Sequence, residues 1–263
     1  MAGQTLPLVF VFGLYRSGTT LVSRLLNGDT RFASASDPIR PFFNAYTNFL
    51  RSQIGEDTCL FEPTNEGFKD NPEYYSTLLS SRFEEPIDYF TTDQVINQII
   101  SQTRSYSPVF SEFIQSNVSS FSPHSWNDIL HYLIDSLSFC YAESNESALA
   151  VKEVWTLEAA YPLIQTFKDR VKIVVVLRDP ADIFASSKAK AGNYPLLYLV
   201  RHWRKNIAIA QHLKSLYPSQ VYLLKYEDLC NDPLSTYNTL ISNILPNQCN
   251  FPVGMLPHPR EDN

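Results

Sequence analysis

The sequence predicts an α/β fold in which helices flank a parallel sheet, and three observations support this prediction. Apolar runs of strand length recur along the chain, the segments between them carry helical spacing of apolar residues, and a glycine-spaced loop follows the first run. Alternation of strands and helices is typical of a parallel sheet that is covered on both faces. Such sheets bind ligands at the carboxyl ends of their strands.

The predicted strands are short segments bounded by loop residues. A continuous apolar run is expected of a parallel strand that is buried on both faces. Four such segments and one short run, FASAS, form the predicted sheet: LVFVF (8–12), FASAS (32–36), ALAVKEV (148–154), KIVVVL (172–177) and VYLLKY (221–226).

Helices are predicted where apolar residues recur every three or four positions. The first stripe follows the glycine-spaced loop and stops near Gly28, because glycine is common at helix C-termini. The later stripes are Leu163, Ile164 and Phe167; Trp203, Ile207, Ala210 and Leu213; and Leu234, Tyr237, Ile241, Ile244 and Leu245.

Residues 41–147 interrupt this alternation. They are rich in Ser, Asn, Phe, Tyr and Pro, with helical patches near residues 93–100 and 126–140. A chain of 263 residues can form one large domain with a sizeable core. We therefore predict a single domain over residues 1–263, in which 41–147 is a mainly helical insertion that caps the ligand edge of the sheet.

The composition restricts the class of ligand. Apolar residues make up 44% of the chain and aromatic residues 13%, which suits a globular protein with an apolar, aromatic-lined pocket. The net charge of −6 and the pI of about 5.4 argue against a broad basic face for nucleic acid. An anionic ligand must therefore be bound by a local pocket.

The cysteines and the N-terminal segment indicate a cytoplasmic protein. Cys59, Cys140, Cys230 and Cys249 form no C-x-x-C pair and fit no zinc spacing, and we expect reduced thiols. The apolar run at 6–14 has no basic region before it and is too short to span a membrane. We expect no membrane anchor.

A glycine-spaced loop, FGLYRSGTTL, lies between the first strand and the first helix. Gly13 and Gly18 have the spacing of a nucleotide-binding P-loop. That loop continues with Lys and then Ser or Thr, whereas this chain has Thr19 and Thr20. The phosphate-clamping lysine is therefore missing.

The loop still predicts an anion site. The N–H groups of residues 16–20 lie at the positive end of the helix dipole. Ser17, Thr19 and Thr20 add hydroxyl donors, and the guanidinium of Arg16 grips two oxygens at once. The alternative is a tight strand-to-helix turn that carries an incidental arginine.

A second candidate anion site lies in VVVLRDPADIFASSKAK. Arg178 ends a buried strand, and Ser186 follows eight residues later, a little over two helical turns. Together they can clamp a second phosphate, and a cation at this strand end favours a site without metal. The alternative is a surface salt bridge from Arg178 to Asp179 or Asp182.

With two anion sites at neighbouring strand ends, the sequence resembles the sulfotransferases that use 3′-phosphoadenosine 5′-phosphosulfate (PAPS). LYRSGTTL resembles their 5′-phosphosulfate loop, which carries Lys or Arg at the position of Arg16. LRDPADIFASS resembles their 3′-phosphate motif, with Arg178 and Ser186 at the matching positions. KYEDL, followed by NDP, also matches the family pattern and places Tyr226 where an adenine contact is expected.

VKEVW resembles the lysine-bearing strand of the same family, and the resemblance covers about residues 7–40 and 148–245. It implies a P-loop-like sulfotransferase architecture and a soluble enzyme that transfers a sulfuryl group to a hydroxyl of a small-molecule acceptor. Adenosine 3′,5′-bisphosphate (PAP) is then the product, and no metal is implied. The expected lack of a membrane anchor and the aromatic-rich insertion suggest a small, partly apolar alcohol or phenol as the acceptor, with secondary metabolism as a candidate setting. The alternative is a P-loop-type nucleotide kinase or a non-catalytic nucleotide-binding relative, although a kinase needs the missing lysine and an acidic metal ligand.

The resemblance also implies catalytic roles. Arg16 and Lys152 neutralise the charge that develops on the bridging oxygen, and Asp37 in SASDPIR occupies the place of the carboxylate base of the protein-tyrosine and heparan branches. Pro38 favours an extended conformation at Asp37, where the chain leaves a strand. Alternatively, Asp37 is only a turn residue that pairs with Arg40. Further candidate bases are Glu153, His124 and His131.

The sequence departs from the cytosolic branch of the family at two places. The tail FPVGMLPHPRED has no R-K-G segment that helps bind the 3′-phosphate, and Lys188 or Lys190 is a candidate substitute, unless both are solvated surface residues. The position of the branch's catalytic histidine is Val154.

Overall fold

The computed structural model describes residues 6–59, 71–142, 146–189 and 194–246. Five strands form one parallel sheet with the order β2-β3-β1-β4-β5. The strands are β1 (Leu8–Gly13), β2 (Phe32–Ser36), β3 (Ala148–Val154), β4 (Val171–Leu177) and β5 (Val221–Lys225).

Helices connect these strands. They are α1 (Thr19–Gly28), α2 (Arg40–Gln53), α3 (Pro72–Ser80), α4 (Tyr89–Thr103), α5 (Pro108–Asn117), α6 (Trp126–Tyr141), α7 (Ala160–Phe167), α8 (Pro180–Ala189), α9 (Leu196–Leu216), α10 (Tyr226–Asn231) and α11 (Pro233–Ile244). Short 3-10 helices lie at Val118–Ser120, Leu157–Ala159 and Lys168–Arg170.

The predicted α/β fold is confirmed. The run FASAS is β2, and the other four predicted strands match β1, β3, β4 and β5 to within one residue at each end. The prediction that strand five includes Tyr226 is wrong, because this residue is the first of α10. The patches near 93–100 and 126–140 lie in α4 and α6, whereas α2, α3 and α5 were not predicted.

Helices cover both faces of the sheet because successive side chains of a buried strand point to opposite faces. In β1, Phe10 and Phe12 pack into a core shared with the described helices of the insertion, α7 and α9. Val9 and Val11 point the other way, into a core with α1 and α11. The sheet is thus buried on both faces, and its carboxyl edge remains for a ligand.

The aromatic residues of the insertion serve mainly as core. Phe42 and Phe43 of α2 pack against each other and on Phe83. Phe42 also packs edge-to-face on Trp126. All four side chains are fully buried. Among the described residues, none of the helices combines the length and the apolar character needed to cross a membrane.

Candidate functional site

A cleft of about 470 Å³ runs along the carboxyl edge of the sheet. It receives residues from the ends of all five strands, as expected for a ligand site of a parallel sheet. Its lining residues are Tyr15, Arg16, Gly18, Thr19, Thr20, Leu21, Asp37, Arg40, Lys152, Val154, Trp155, Arg178, Tyr194 and Tyr226.

Gly18 makes the tight entry into α1 possible. Its φ of 102° lies in the left-handed region, where side chains other than glycine are strained. A Cβ atom at this position would also overlap the ring of Tyr226. Tyr226 therefore lies directly against the loop, at the cleft.

The start of α1 offers free donors to the cleft. Among the described residues, none accepts a hydrogen bond from the N–H groups of Gly18, Thr19 or Thr20. These groups lie at the positive end of the helix dipole, a suitable environment for an anion. The hydroxyl-bearing residues Thr19 and Thr20 line the cleft beside them.

Ser17 has a different position from the one predicted. Its side chain is buried, and its N–H donates to the carbonyl of Leu14 at 3.0 Å. The Oγ atom lies next to Gly13, where a Cβ atom would come within 2.5 Å of it. The structure therefore does not bring the Ser17 hydroxyl into the cleft, and the small size of Gly13 makes room for it.

The two predicted anion sites meet at Arg16. Its Nε donates to Ser186 Oγ at 2.9 Å, and its carbonyl accepts from Arg178 Nη1 at 3.1 Å. The guanidinium of Arg178 also lies over the ring of Tyr226, 4.3 Å from its centroid. These contacts, rather than the alternative salt bridges to Asp179 or Asp182, hold Arg178 at the cleft.

Asp37 and Lys152 form an ion pair at the β2–β3 end of the cleft. Asp37 Oδ2 accepts from Lys152 Nζ, and Oδ1 accepts from the Val154 N–H at 3.1 Å. The Asp37 N–H donates in turn to the Lys152 carbonyl at 2.7 Å. The alternative pairing of Asp37 with Arg40 is not observed among the described residues.

The extended conformation predicted for Asp37 is wrong. Asp37 follows the last residue of β2, as predicted, but its φ is 53°. The hydrogen bonds to β3 hold it in this left-handed conformation, which Asp tolerates better than most residues. Tyr106, from the insertion, donates its hydroxyl to the Asp37 carbonyl at 3.0 Å and also holds the turn.

The three other candidate bases do not line the cleft. Glu153 points to the opposite face of β3 from Lys152 and is fully buried, with Oε1 accepting the Ile39 N–H at 2.8 Å. Burial raises the pKa of Glu153 well above its usual range, and the Asp37 charge raises it further. His124 lies in an exposed loop, and His131 packs edge-to-face on Phe167.

Aromatic side chains form one wall of the cleft. Trp155 stacks parallel to Tyr15, with centroids 6.0 Å apart, and Tyr194 contacts both rings. Trp155 has a φ of 74°, a strained conformation for a bulky residue and one that is concentrated at functional sites. Behind it, His202 packs edge-to-face on the indole, and burial lowers the His202 pKa to about 4.

Six residues that line the cleft were not predicted as site residues: Tyr15, Leu21, Arg40, Val154, Trp155 and Tyr194. For two of them, the position in the sequence could have indicated a place in the cleft. Trp155 directly follows a strand at its carboxyl end, and Arg40 lies three residues after the candidate base. Tyr194 precedes α9 and reaches the cleft only through the tertiary fold.

The basic residues proposed to replace the R-K-G segment are only partly described. Lys188 is exposed on α8, with Nζ 4.8 Å from the ring centroid of Phe184. Lys190 and the tail FPVGMLPHPRED lie outside the described residues. Within the described ranges, no group of three or more His, Cys, Asp or Glu side chains is arranged to hold a metal ion, and Cys140 and Cys230 are free thiols.

The chain is similar to known proteins over most of its length. The model of the sulfotransferase family matches residues 7–244. A sulfotransferase domain from the olefin synthase of Synechococcus PCC 7002 superposes with a TM-score of 0.52 at 16% identity, covering 90% of this chain and 72% of that one. A sulfotransferase domain from the curacin biosynthetic pathway superposes with a TM-score of 0.50 at 16% identity, covering 92% of this chain and 75% of that one. Comparison with curated protein sequences gave no match.

Proposed function

The chain belongs to the sulfotransferase family, and on this premise we propose that it transfers a sulfuryl group from PAPS to a hydroxyl of a small-molecule acceptor. The observation that carries the proposal is the distribution of charge in the cleft. Lys152, Arg16 and Arg178 line it at the ends of β3, β1 and β4, three neighbouring strands. PAPS carries its negative charges on separate phosphate and sulfate groups, and it supplies the sulfuryl group that is transferred.

The residues of the loop fit the phosphosulfate end of this donor. The N–H groups of Gly18, Thr19 and Thr20 and the hydroxyls of both threonines bind its oxygens, and Arg16 provides the balancing charge. Ser17 was also predicted to donate its hydroxyl to these oxygens. Because this hydroxyl is buried, we propose that Ser17 shapes the loop instead. No divalent metal is required, because the guanidinium and the amides bind the anion directly.

The second half of the donor site lies at β4 and β5. Arg178 and Ser186 bind the 3′-phosphate, and the ring of Tyr226 contacts the adenine. The Ser186 hydroxyl accepts a hydrogen bond from Arg16 Nε. The proton of the Ser186 hydroxyl is therefore available to donate to a phosphate oxygen. Arg178 also binds the Arg16 carbonyl, and it therefore positions the loop that holds the other end of the donor.

The reaction forms a bond between the acceptor oxygen and sulfur and breaks the bond between sulfur and the bridging phosphate oxygen. The Asp37 carboxylate takes the acceptor's proton as general base. Lys152 then shifts its ammonium group from Asp37 toward the bridging oxygen. There its positive charge adds to that of Arg16 and stabilises the leaving phosphate. The ion pair in the structure places base and cation side by side for these two tasks.

The acceptor side of the cleft is partly apolar. Trp155, Tyr15 and Tyr194 present aromatic surface there, and in the described part of the insertion no side chain lines the cleft. An alcohol or phenol with an apolar body fits this wall, as in a natural-product pathway. The strained φ of Trp155 supports a functional role for its position.

Calorimetric titration tests the proposed donor. Wild-type protein should bind PAP more tightly than ADP with magnesium, because the Walker lysine is absent and the second anion site is present. Charge-assisted hydrogen bonds contribute about 1.5–3 kcal/mol each, and Arg16→Ala and Arg178→Ala should each weaken PAP binding by about tenfold to a hundredfold. Arg24→Ala, an exposed arginine of α1 outside the cleft, is the matched control.

Two results would contradict the proposal. Unchanged PAP affinity in both cleft variants would mean that the cation cluster does not bind the donor. Tighter binding of ADP with magnesium than of PAP would instead favour the nucleotide kinase reading.

A further inference from the structure

Arg40 lies at the end of the cleft opposite the proposed adenine contact. The sheet order β2-β3-β1-β4-β5 puts Arg40 beyond β2 and Tyr226 directly after β5. Adjacent strands are about 4.8 Å apart, and the two ends of the cleft are therefore separated by roughly 19 Å. Arg178, Arg16 and Lys152 stand in this order between them. Arg40 thus lies past the reacting centre, on the acceptor side.

In the described part of the protein, the guanidinium of Arg40 has no ion-pair partner. Its hydrogen bond there, from Nη2 to Gln102 Oε1, is long at 3.4 Å, and no described carboxylate forms an ion pair with it. Asp37, the carboxylate that shares its end of the cleft, is paired with Lys152. Glu153 is fully buried behind the cleft and forms no ion pair with Arg40; burial raises its pKa, and the charge of Arg40 lowers it in part.

The position of Arg40 in its helix is also locally unfavourable. It is the first residue of α2, and the first turn contains no acidic residue. A cation at this end is repelled by the positive end of the helix dipole. Residues that break a local rule without compensation are concentrated at functional sites. An anion bound at the guanidinium removes this cost.

We propose that Arg40 binds a carboxylate of the acceptor, so that the enzyme's preferred substrates are hydroxy acids. The inference rests on the proposed function, because it takes the β4–β5 end of the cleft as the donor site. The planar guanidinium binds both oxygens of a carboxylate at once. The acceptor's apolar body then lies on Trp155, and its hydroxyl faces Asp37 and Lys152.

The test measures binding to PAP-saturated protein by calorimetry. The ligands are two phenolic acids, para-hydroxybenzoate and para-hydroxyphenylacetate, and their matched primary amides, which keep the shape and remove the charge. Wild-type protein should bind at least one acid about ten to a hundred times more tightly than its amide. Arg40→Gln should abolish this preference and Arg40→Lys should retain part of it, with PAP affinity unchanged within about twofold.

Arg104→Gln is the matched control, because this arginine is exposed at the end of α4 and does not line the cleft. It should keep the acid preference. Equal binding of acids and amides to wild-type protein, absence of binding by all four compounds, or an acid preference that survives in Arg40→Gln each overturns the assignment. If PAP does not bind, the proposed function is wrong, and the inference about Arg40 is wrong with it. If PAP binds but the protein does not prefer the acids to the amides, only the role of Arg40 is refuted.

Discussion

The ion pair between Lys152 and Asp37 gives the most direct test of how the site is held together. Lys152→Met keeps most of the apolar stem and removes the charge, which leaves the Asp37 carboxylate without its cation. Breaking a buried ion pair costs about 3–5 kcal/mol. The side chains here are 7% and 22% exposed, and Asp37 keeps its bond from the Val154 N–H. We therefore expect Lys152→Met to lower the free energy of unfolding by about 2–3 kcal/mol, at or below the lower end of that range.

A double-mutant cycle isolates the pair from other effects of each substitution. Asp37→Asn is the suitable second variant, because Asn also tolerates the left-handed backbone that Asp37 adopts and adds no strain of its own. Urea denaturation at neutral pH gives the unfolding free energies of wild type, both single variants and the double variant. The coupling energy should be about 1–3 kcal/mol. A value below about 0.5 kcal/mol would show that the two charges do not stabilise each other.

The same variants separate stability from catalysis. If Lys152 acts on the leaving phosphate, Lys152→Met should lower kcat while the Kd for PAP changes little, because the interaction strengthens in the transition state. If Asp37 is the base, Asp37→Asn should lower kcat at saturating PAPS throughout the neutral pH range. Near-wild-type kcat in Asp37→Asn would leave Asp37 as a turn residue. Loss of PAP affinity alone in Lys152→Met would assign that lysine to ground-state binding.

Four further predictions follow from the structure. Gly18→Ala should destabilise the protein by more than about 1 kcal/mol, because its φ of 102° strains alanine and the new Cβ meets Tyr226; an unchanged Tm contradicts this. Burial lowers the pKa of His202 from 6.5 to about 4 in the folded protein. Between these pH values the unfolded chain is protonated at His202 and the folded chain is not, so the free energy of unfolding should drop by up to about 3 kcal/mol as pH falls through this range. His202→Gln should lack this part of the slope in denaturation curves, and an identical slope would show that the buried imidazole is not responsible. Burial raises the pKa of Glu153, so its contribution to stability is present while the carboxyl is protonated and is lost as pH rises. Glu153→Gln should therefore be at least as stable as wild type in urea denaturation at neutral pH, and a less stable variant would contradict the raised pKa. Sulfuryl transfer should continue in EDTA, because the charges of the cleft come from side chains, and abolition by the chelator would point to metal-dependent chemistry.

The insertion shows where sequence patterns lose their predictive value. Helix α2 was missed although Phe42, Phe43, Tyr46 and Leu50 are all buried and recur at helical spacing, because the Asn and Thr residues between them are weak helix formers. Its placement against α4 and the sheet results from packing, which includes contacts of Phe43 with Phe10 and Phe12 of β1. Propensity is a weak guide when tertiary contacts decide the burial of a helix.

The sequence by itself determined the strands, the glycine-spaced loop and the types of residue at the strand ends. These features depend on local chemistry: apolar runs that must be buried, a glycine that adopts positive φ, and donors at a helix N-terminus. The family resemblance selected Arg16, Lys152, Arg178 and Tyr226, and all four line the cleft.

Only the tertiary structure decided how these residues meet. Arg16 and Ser186 are 170 residues apart in the chain, and Asp37 and Lys152 are 115 apart, yet each pair forms a hydrogen bond. The strand order brings them together, and no local pattern encodes that order. The direction of the buried Ser17 hydroxyl and the exposure of Arg40 to the cleft also depend on what packs around them. Side-chain direction at a site is set by neighbours that are distant in sequence, and the chemistry of the cleft therefore emerges only in the folded chain.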